Sequence, residues 1–358
     1  MKKIKILYTT SNFDTAGSGK VLFDLANGID KNKFEVVIAC NHNQGIYFKE
    51  VEKLGLPIYF QKVTVPLRPY FSLVFRVNPY RKFIKEQKID IIHSWHWSSD
   101  WTEILAAKLA GAKYVYTKKA MTWGNIHWKI KSYLANFIIT INEDMIHYFP
   151  YKKQQQLIPI GIDTNFYNPE LFDNKKNFTN FKIISVVNIA PVKNLEILIY
   201  AVNALRNHNV FLEIVGDSRS DYAQQLKALV IQLKLETKVN FIAKQNDVRP
   251  FLKSADLYVI CSKHEGMPMA LVEAMTMGVP VLGTNCMGVN FVLKDFPEYL
   301  IPSDDSVILA QKIMEMLQLS AQERAQIGAK LRAYCINHFS IQNFVSKHEM
   351  VYQNLVKK

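Results

Sequence analysis

Short runs of β-branched and aromatic residues recur along this chain, and their apolarity is largely continuous instead of alternating with polar residues. In the first half they are IKILYT (4–9), FEVVIAC (34–40), IDIIH (89–93), KYVYT (113–117) and FIITI (137–141). In the second they are KIISVVN (182–188), VFLEIVG (210–216), KVNFIA (238–243), ADLYVICS (255–262) and VPVLGT (279–284). Continuous apolarity marks a strand buried on both faces, the situation of a parallel sheet covered by helices. The windows 194–207, 222–235 and 306–319 carry apolar residues at i, i+3, i+4 and i+7, the stripe of a helix lying on such a sheet. Strand–helix alternation that occurs twice over predicts an α/β protein with two doubly wound, Rossmann-like parallel sheets.

A length of 358 residues suits two domains of roughly 100–200 residues each. The stretch 159–181 contains Gly161, Pro169, several Asn and little periodicity, and reads as the link between them. The expected division is an N-terminal domain over 1–168, a C-terminal domain over 169–339, and a final amphipathic helix over 340–358 that packs back on the N-terminal domain. Two such sheets facing across a cleft would turn the carboxyl ends of their strands toward one ligand.

Charge is unevenly spread. Of the formal +13, most lies in residues 1–167, with 23 basic and 13 acidic side chains against 21 and 18 in the remainder. A basic balance raises the question of nucleic acid, but no DNA- or RNA-reading motif accompanies it, so no nucleic-acid partner is expected. Cys40, Cys261, Cys286 and Cys335 show no C-x-x-C spacing and read as free thiols of a reducing cytoplasm. The apolar run Ile6 to Tyr8 is too short for a signal-peptide core, and no stretch approaches the ~20 residues of a membrane span. No D-x-D or His/Cys cluster suggests a metal, so neither metal nor cofactor is expected.

The sharpest motif is HEGMPMALVEAMTMGVPVLGT (264–284). Glu265 and Glu273 stand eight residues apart, with Gly266 and Pro268 between them, after a buried strand and at the start of a helix. Helix N-terminal amides suit a diphosphate. Eight helical residues span ~12 Å, comparable with the distance from sugar ring to ribose in a nucleotide sugar. Bare spacing is equally compatible with one surface Glu and one ordinary helix Glu.

The surrounding residues resemble the E-x7-E signature of the family 4 retaining glycosyltransferases, whose two-domain architecture is called GT-B. The match holds at Glu265, Gly266, Pro268, Glu273, Ala274, Met275, Gly278, Pro280 and Val281, with Met267 in place of the common Phe. The resemblance implies that Glu265 touches the donor sugar near the reacting centre, that Glu273 accepts hydrogen bonds from the ribose, and that residues 265–269, including Met267 and Met269, shape the sugar pocket. VVNIAPVKNLEILIYA (186–201) is similar to the family's V-G-R-L-x-P-x-K-G stretch, which places Lys193 on the diphosphate. There an ammonium would stabilise charge growing on the leaving group. Asn188 occupies the position of a frequent Arg, so one positive charge is missing. Gly216 matches the glycine of the family's L-x-I-V-G-D-G. The segment 9–29 resembles the glycine loop after the first strand, with Gly17 and Gly19 admitting a phosphate, and Gly17 is counted among the donor contacts.

Two places depart from the family. IIHSWHW (91–97) stands for its H-x-H, giving His93 and His96 as acceptor contacts and His93 as a catalytic candidate beside Glu265 and Lys193. Lys119 occupies a position where the family often has His, and either alters sugar recognition or pairs with an acceptor phosphate. NCMGVNFVL (285–293) has Phe291 where the family has Glu, and no role is carried onto it. Residues 59–88 hold seven basic side chains against Glu86, interleaved with Tyr59, Phe60, Tyr70, Phe71, Phe75, Tyr80 and Phe83. They suit an anionic membrane surface, or equally a helix with a solvated basic face and a buried aromatic one.

The expected activity is that of a retaining, hexosyl-type glycosyltransferase. It would move a hexose or N-acetylhexosamine from a nucleotide sugar, a UDP-sugar foremost, to a lipid-linked saccharide or envelope polysaccharide precursor. Such a protein would be cytoplasmic or peripheral on the inner face of the membrane. The alternatives are a sugar-nucleotide epimerase or phosphorylase on the same fold, and, more remotely, a non-catalytic basic module for anions or nucleic acid.

Overall fold

A computed structural model of the chain describes residues 2–14, 16–45, 47–119, 121, 123–173 and 180–357. Thr15 of the glycine segment and residues 174–179 of the expected link lie outside the described residues. The chain forms two compact units, Met1–Gly161 with Ile341–Lys358, and Ile162–Ser340.

The first unit is built on seven parallel strands, β1 (Ile4–Thr9), β2 (Phe34–Cys40), β3 (Ile58–Phe60), β4 (Ile91–Ser94), β5 (Lys113–Lys118), β6 (Phe137–Thr140) and β7 (Gln155–Leu157), in the order β3-β2-β1-β4-β5-β6-β7. The second has six, β8 (Phe181–Val186), β9 (Val210–Val215), β10 (Val239–Ile242), β11 (Leu257–Ile260), β12 (Val281–Thr284) and β13 (Leu300–Ile301), in the order β10-β9-β8-β11-β12-β13. The chain reverses direction of growth between β1 and β4 and again between β8 and β11, the switch points at which open α/β sheets take ligands. Both cores are the continuous apolar runs themselves. Leu7, Val37, Ile92 and Tyr114 are fully buried in one, and Ile183, Leu212, Ile214, Leu257, Val259 and Leu282 in the other. β3, β7 and β13, at sheet edges, are two or three residues long and too short to show the apolar pattern, and β7 reads QQL.

The division between units falls at Gly161, a few residues before the expected position 168. Ile162 pairs with Ser340, its amide donates to the Phe339 carbonyl at 2.7 Å, and the carbonyl of buried Tyr167 accepts from Arg332 at 2.8 Å. Residues 162–168 are thus integrated into the second unit by backbone pairing, which composition does not reveal. The helix Ile341–Val356 belongs to the first unit and lies on the helix Ala16–Gly28. A Cβ at Gly28 would sit 2.8 Å from Val345 Cγ2, so glycine is what permits this close approach. The four cysteines are free and buried.

Candidate functional site

In the second unit the chain leaves β8 through exposed Asn188, makes a 3-10 turn over Pro191–Lys193, and passes through Asn194 at φ 51° into the helix Leu195–Ala204. The turn is tied to the loop after β11 because the Lys263 amide donates to the Val192 carbonyl at 2.8 Å. That tie brings Lys193 Nζ to 2.5 Å from Glu265 Oε1, with both side chains largely buried. Ser262 Oγ donates to the same oxygen at 2.6 Å. The Glu265 amide donates to the Met287 carbonyl at 2.9 Å, and a Cβ at Gly288 (φ 85°) would lie 2.5 Å from the Glu265 carbonyl. Glu265 is therefore fixed from three sides by Lys193, Ser262 and the 287–288 turn.

Glu265 is not on the helix. The helix begins at Met269, after Pro268, and carries Glu273 in its second turn, so the eight-residue spacing is half loop and half helix. At its start the Leu271 and Val272 amides donate to the Pro268 carbonyl at 3.0 and 3.2 Å, so the donors a helix N-terminus offers a ligand are here the amides of Met269 and Ala270. Met267 and Pro268 are buried, while Gly266, Met269, Glu265 and Glu273 are half-buried. The buried Tyr258 phenol is pushed well above its ordinary range, first by burial and then by the Glu265 and Glu273 carboxylates. Gly216 has a packing reason to be glycine: a Cβ there would meet the Val187 carbonyl at 2.3 Å. A separate cavity of about 640 Å3, lined by Glu170, Lys253, Arg324 and Arg332 among others, contains none of these residues.

In the first unit the sequence candidates fare differently. Gly17 and Gly19 lie in the first turn of the helix Ala16–Gly28 and not in an open loop; Gly17 is exposed, and Gly19 packs under Phe13 and Tyr47. Gly17 also belongs to the first unit, whereas every other donor candidate lies in the second. His93, the catalytic candidate of the sequence, lies in the interior of the first unit. It is fully buried, with Nδ1 sharing a 2.6 Å hydrogen bond with the Tyr352 hydroxyl and Nε2 a 2.7 Å bond with Thr117 Oγ1. Burial, with His348 and Lys119 nearby, holds its pKa well below the imidazole range, so the ring is neutral and both nitrogens are occupied.

His96 and Lys119 remain at the carboxyl ends of β4 and β5. The Lys119 ammonium donates to the Trp95 carbonyl at 2.5 Å, and Lys131 from the helix Ile126–Leu134 donates to the Ser98 carbonyl at 2.9 Å. Lys118 Nζ lies 4.1 Å from the Trp128 ring centre. Burial, reinforced by the charge of Lys131, lowers Lys119 to about 7 and Lys118 to about 8; burial lowers Lys131 to about 8 against the pull of Glu103 and Asp100. Beneath them, buried Glu103 accepts from Thr9 Oγ1 at 2.5 Å, Ser94 Oγ at 2.8 Å and the Tyr114 hydroxyl at 2.7 Å.

Two family models match in succession. Residues 15–166 fit the one described as Glycosyltransferase Family 4, and residues 168–334 fit the one described as Glycosyl transferases group 1. The chain belongs to the family 4 glycosyltransferases. This glycosyltransferase is 27% identical over 309 residues to the UDP-Gal:alpha-D-GlcNAc-diphosphoundecaprenol alpha-1,3-galactosyltransferase of Escherichia coli, a match covering 77% of this chain and 78% of that one. A second Escherichia coli relative, provisionally named as a colanic acid biosynthesis glycosyltransferase, is 28% identical over 192 residues, and the match spans only 47% of that protein's length and 51% of this chain. Among solved structures, a glycosyltransferase from Rickettsia africae superposes with a TM-score of 0.90 at 18% identity over the whole of both chains. HepE of Anabaena in complex with UDP and glucose superposes with a TM-score of 0.81 at 19% identity, covering 98% of this chain and 99% of that one. These structural likenesses establish the two-sheet fold of the family.

Three contributors to the glycosyltransferase's second-unit site lay outside the sequence candidates: Ser262, Met287 and Gly288. The segment 285–293 had lost its family acid at Phe291, yet it supports Glu265 through backbone atoms, which a residue-type comparison does not register. Its one legible signal is Gly288. The segment 59–88 is also divided by the structure. Tyr80 is buried and stacks on Phe83, and Tyr59 packs edge-on against Phe83. Phe71 and Phe75, by contrast, are 88% and 80% exposed, with Tyr70 and Val74 half-exposed beside them. Arg76 is turned inward onto the carbonyls of Pro66, Leu67 and Pro69. Among the described residues no helix is long and apolar enough to cross a membrane.

Proposed function

We propose that this glycosyltransferase takes a sugar from a UDP-sugar and delivers it, with retention of the anomeric configuration, to a lipid-linked saccharide of bacterial envelope polysaccharide assembly. The observation that carries the reading is the Lys193–Glu265 contact beside the helix Met269–Thr276. An ammonium, a fixed carboxylate and a helix N-terminus are what a nucleoside diphosphate sugar needs: charge for the diphosphate, an acceptor for sugar hydroxyls, and amides for phosphate oxygens. Glu273, on the next turn, suits two vicinal ribose hydroxyls. The names of the Escherichia coli galactosyltransferase and of HepE with UDP and glucose support the uridine donor and the diphosphate-linked acceptor.

Retention would follow from front-face attack, in which the acceptor oxygen bonds to the anomeric carbon as the carbon–phosphate oxygen bond breaks, and the acceptor proton passes to the departing phosphate. No protein carboxylate is then needed as nucleophile, unlike the paired acids of retaining glycosidases. Lys193 and helix amides neutralise the leaving diphosphate, and no metal ion is required. Supplying UDP-galactose and a diphosphoundecaprenol-linked N-acetylglucosamine acceptor, among other UDP-sugars, should give a glycosylated product whose anomer is read by proton NMR. Epimerisation of the nucleotide sugar without transfer would overturn the reading. In calorimetry, Glu273→Ala is expected to weaken UDP binding by about 10- to 100-fold, the worth of hydrogen bonds to a charged acceptor. Unchanged affinity would remove Glu273 from the nucleotide site.

The exposed Tyr70, Phe71, Val74 and Phe75, next to Arg68 and Lys62, fit the headgroup level of an anionic membrane on which such an acceptor resides. At low salt the protein should float with vesicles containing anionic phospholipid, and Phe71→Ser/Phe75→Ser should remain in the dense fraction. A wild-type protein that does not float would exclude this surface.

A further inference from the structure

The carboxyl ends of β4 and β5 gather more positive charge than the protein around them answers. Lys119 donates to the Trp95 carbonyl and lies over the Trp95 and Trp97 rings, Lys131 donates to the Ser98 carbonyl and lies 4.5 Å from the Tyr116 ring centre, and among the described residues neither forms an ion pair. Glu103, the nearest deeply buried acid, is already engaged by three hydroxyl donors. Asp100 is turned to the Thr102 amide and hydroxyl. His96 is 8% exposed, and its Nε2 is buried without a hydrogen-bond partner. Buried polar atoms without partners are rare, and ammonium groups held by carbonyls and ring faces, with acids nearby but no direct ion pair, remain electrostatically costly. An oxyanion seated here would satisfy all three groups through charge-assisted hydrogen bonds.

Trp97 adds a second kind of surface. It is 64% exposed, and Lys119 Nζ lies 5.3 Å from its ring centre. An exposed indole face beside a cation suits the apolar face of a pyranose whose acidic substituent points toward the ammonium. The position, beyond the carboxyl ends of parallel strands next to the switch point, is where α/β sheets bind ligands.

We propose that this site in the first unit recognises an acidic pyranose of the acceptor: the sugar ring stacks on Trp97 and its carboxylate or phosphate is held by Lys119, Lys131 and His96. The inference rests on the glycosyl-transfer reading and narrows its acceptor to an anionic saccharide. It also gives Lys119 a chemical reason to stand where a histidine is common, since a lysine matches a formal negative charge.

The test is calorimetry on the full chain with glucuronate, glucose 6-phosphate, glucose and inorganic phosphate, alongside a UDP titration. An acidic sugar should bind at least about tenfold more tightly than glucose, the worth of one charge-assisted contact. That preference should vanish in Lys119→Met and weaken severalfold in Trp97→Ala, a substitution at an exposed residue that leaves folding intact. UDP binding should be unaltered in both variants. Equal binding of acidic and neutral sugars overturns the proposal, as does a preference that survives Lys119→Met. Inorganic phosphate binding as tightly as glucose 6-phosphate also overturns it, because the sugar platform would then play no part. The UDP arm separates the two readings: UDP binding without an acidic-sugar preference defeats only the acceptor inference, whereas absence of UDP binding defeats the proposed donor.

Discussion

Replacing Lys193 with alanine is expected to slow sugar transfer by about 100- to 1,000-fold, the usual loss when one preorganised group facing developing charge is removed. The expectation follows from geometry. Lys193 sits at the mouth of β8 on a 3-10 turn pinned by the Lys263–Val192 hydrogen bond, and its ammonium is 2.5 Å from Glu265. A group so fixed needs no reorganisation when charge appears on a leaving diphosphate. Because the negative charge grows toward the transition state, the loss should fall mainly on kcat, with KM for the donor changing less. Glu265→Ala should also be severe. The double variant should be less impaired than the product of the two single losses, since each single change leaves a largely buried partner without its counter-charge. Single-turnover transfer assays with excess enzyme measure this directly. A loss below about tenfold for Lys193→Ala would show that the ion pair is a structural clasp between two loops and does not act on the diphosphate.

The second large effect is on stability. Glu103→Ala should destabilise the first unit by about 3–5 kcal/mol, the cost of breaking a buried charged network. The carboxylate accepts from Thr9, Ser94 and Tyr114, joining β1, β4 and β5 through the helix Thr102–Ala110. Its removal strands three buried hydroxyls and takes away a negative charge that favours the protonated Lys131 and His96. Two-unit chains do not unfold in one step, so the probe must be local. All five tryptophans, Trp95, Trp97, Trp101, Trp123 and Trp128, belong to the first unit, and their fluorescence reports its melting alone. A fall of roughly 10 °C is expected for a unit of this size. Glu103→Gln, which keeps an acceptor oxygen and the side-chain volume, should lose distinctly less. A Glu103→Ala melting point within about 2 °C of wild type would mean that the three hydroxyls find other acceptors.

Most of the architecture was legible because it rests on a simple physical requirement. A parallel strand covered on both faces has to be largely apolar, so β1, β2, β5 and β9 stand out as predominantly apolar runs, despite Lys5, Glu35 and Glu213 within them, with nearly their observed bounds. Strands β3, β7 and β13, only two or three residues long at the sheet edges, were too short to show it, whereas the longer edge strand β10 was legible. The Lys193 and Glu265 segments could be picked out because strand-end turns that handle phosphate and sugar restrict residue type. What they do to each other could not: the ion pair depends on a hydrogen bond between loops some seventy residues apart.

His93 shows the other limit. Local sequence places a histidine at the end of a buried strand, beside two tryptophans, and residue type alone suits it to substrate. Its partner, Tyr352, comes from the last helix of the chain, 259 residues away. Only the folded first unit, in which Ile341–Val356 returns to lie against Ala16–Gly28 and β1, shows that both imidazole nitrogens are occupied and that burial keeps the ring neutral. The sequence by itself determined the two sheets, the family and the acidic and basic residues of the donor motif, because hydrophobic periodicity and local turn chemistry are short-range properties. The tertiary structure decided which polar side chains are already satisfied by one another and which are left to meet a ligand, because hydrogen bonding and desolvation depend on neighbours that sequence distance does not reveal.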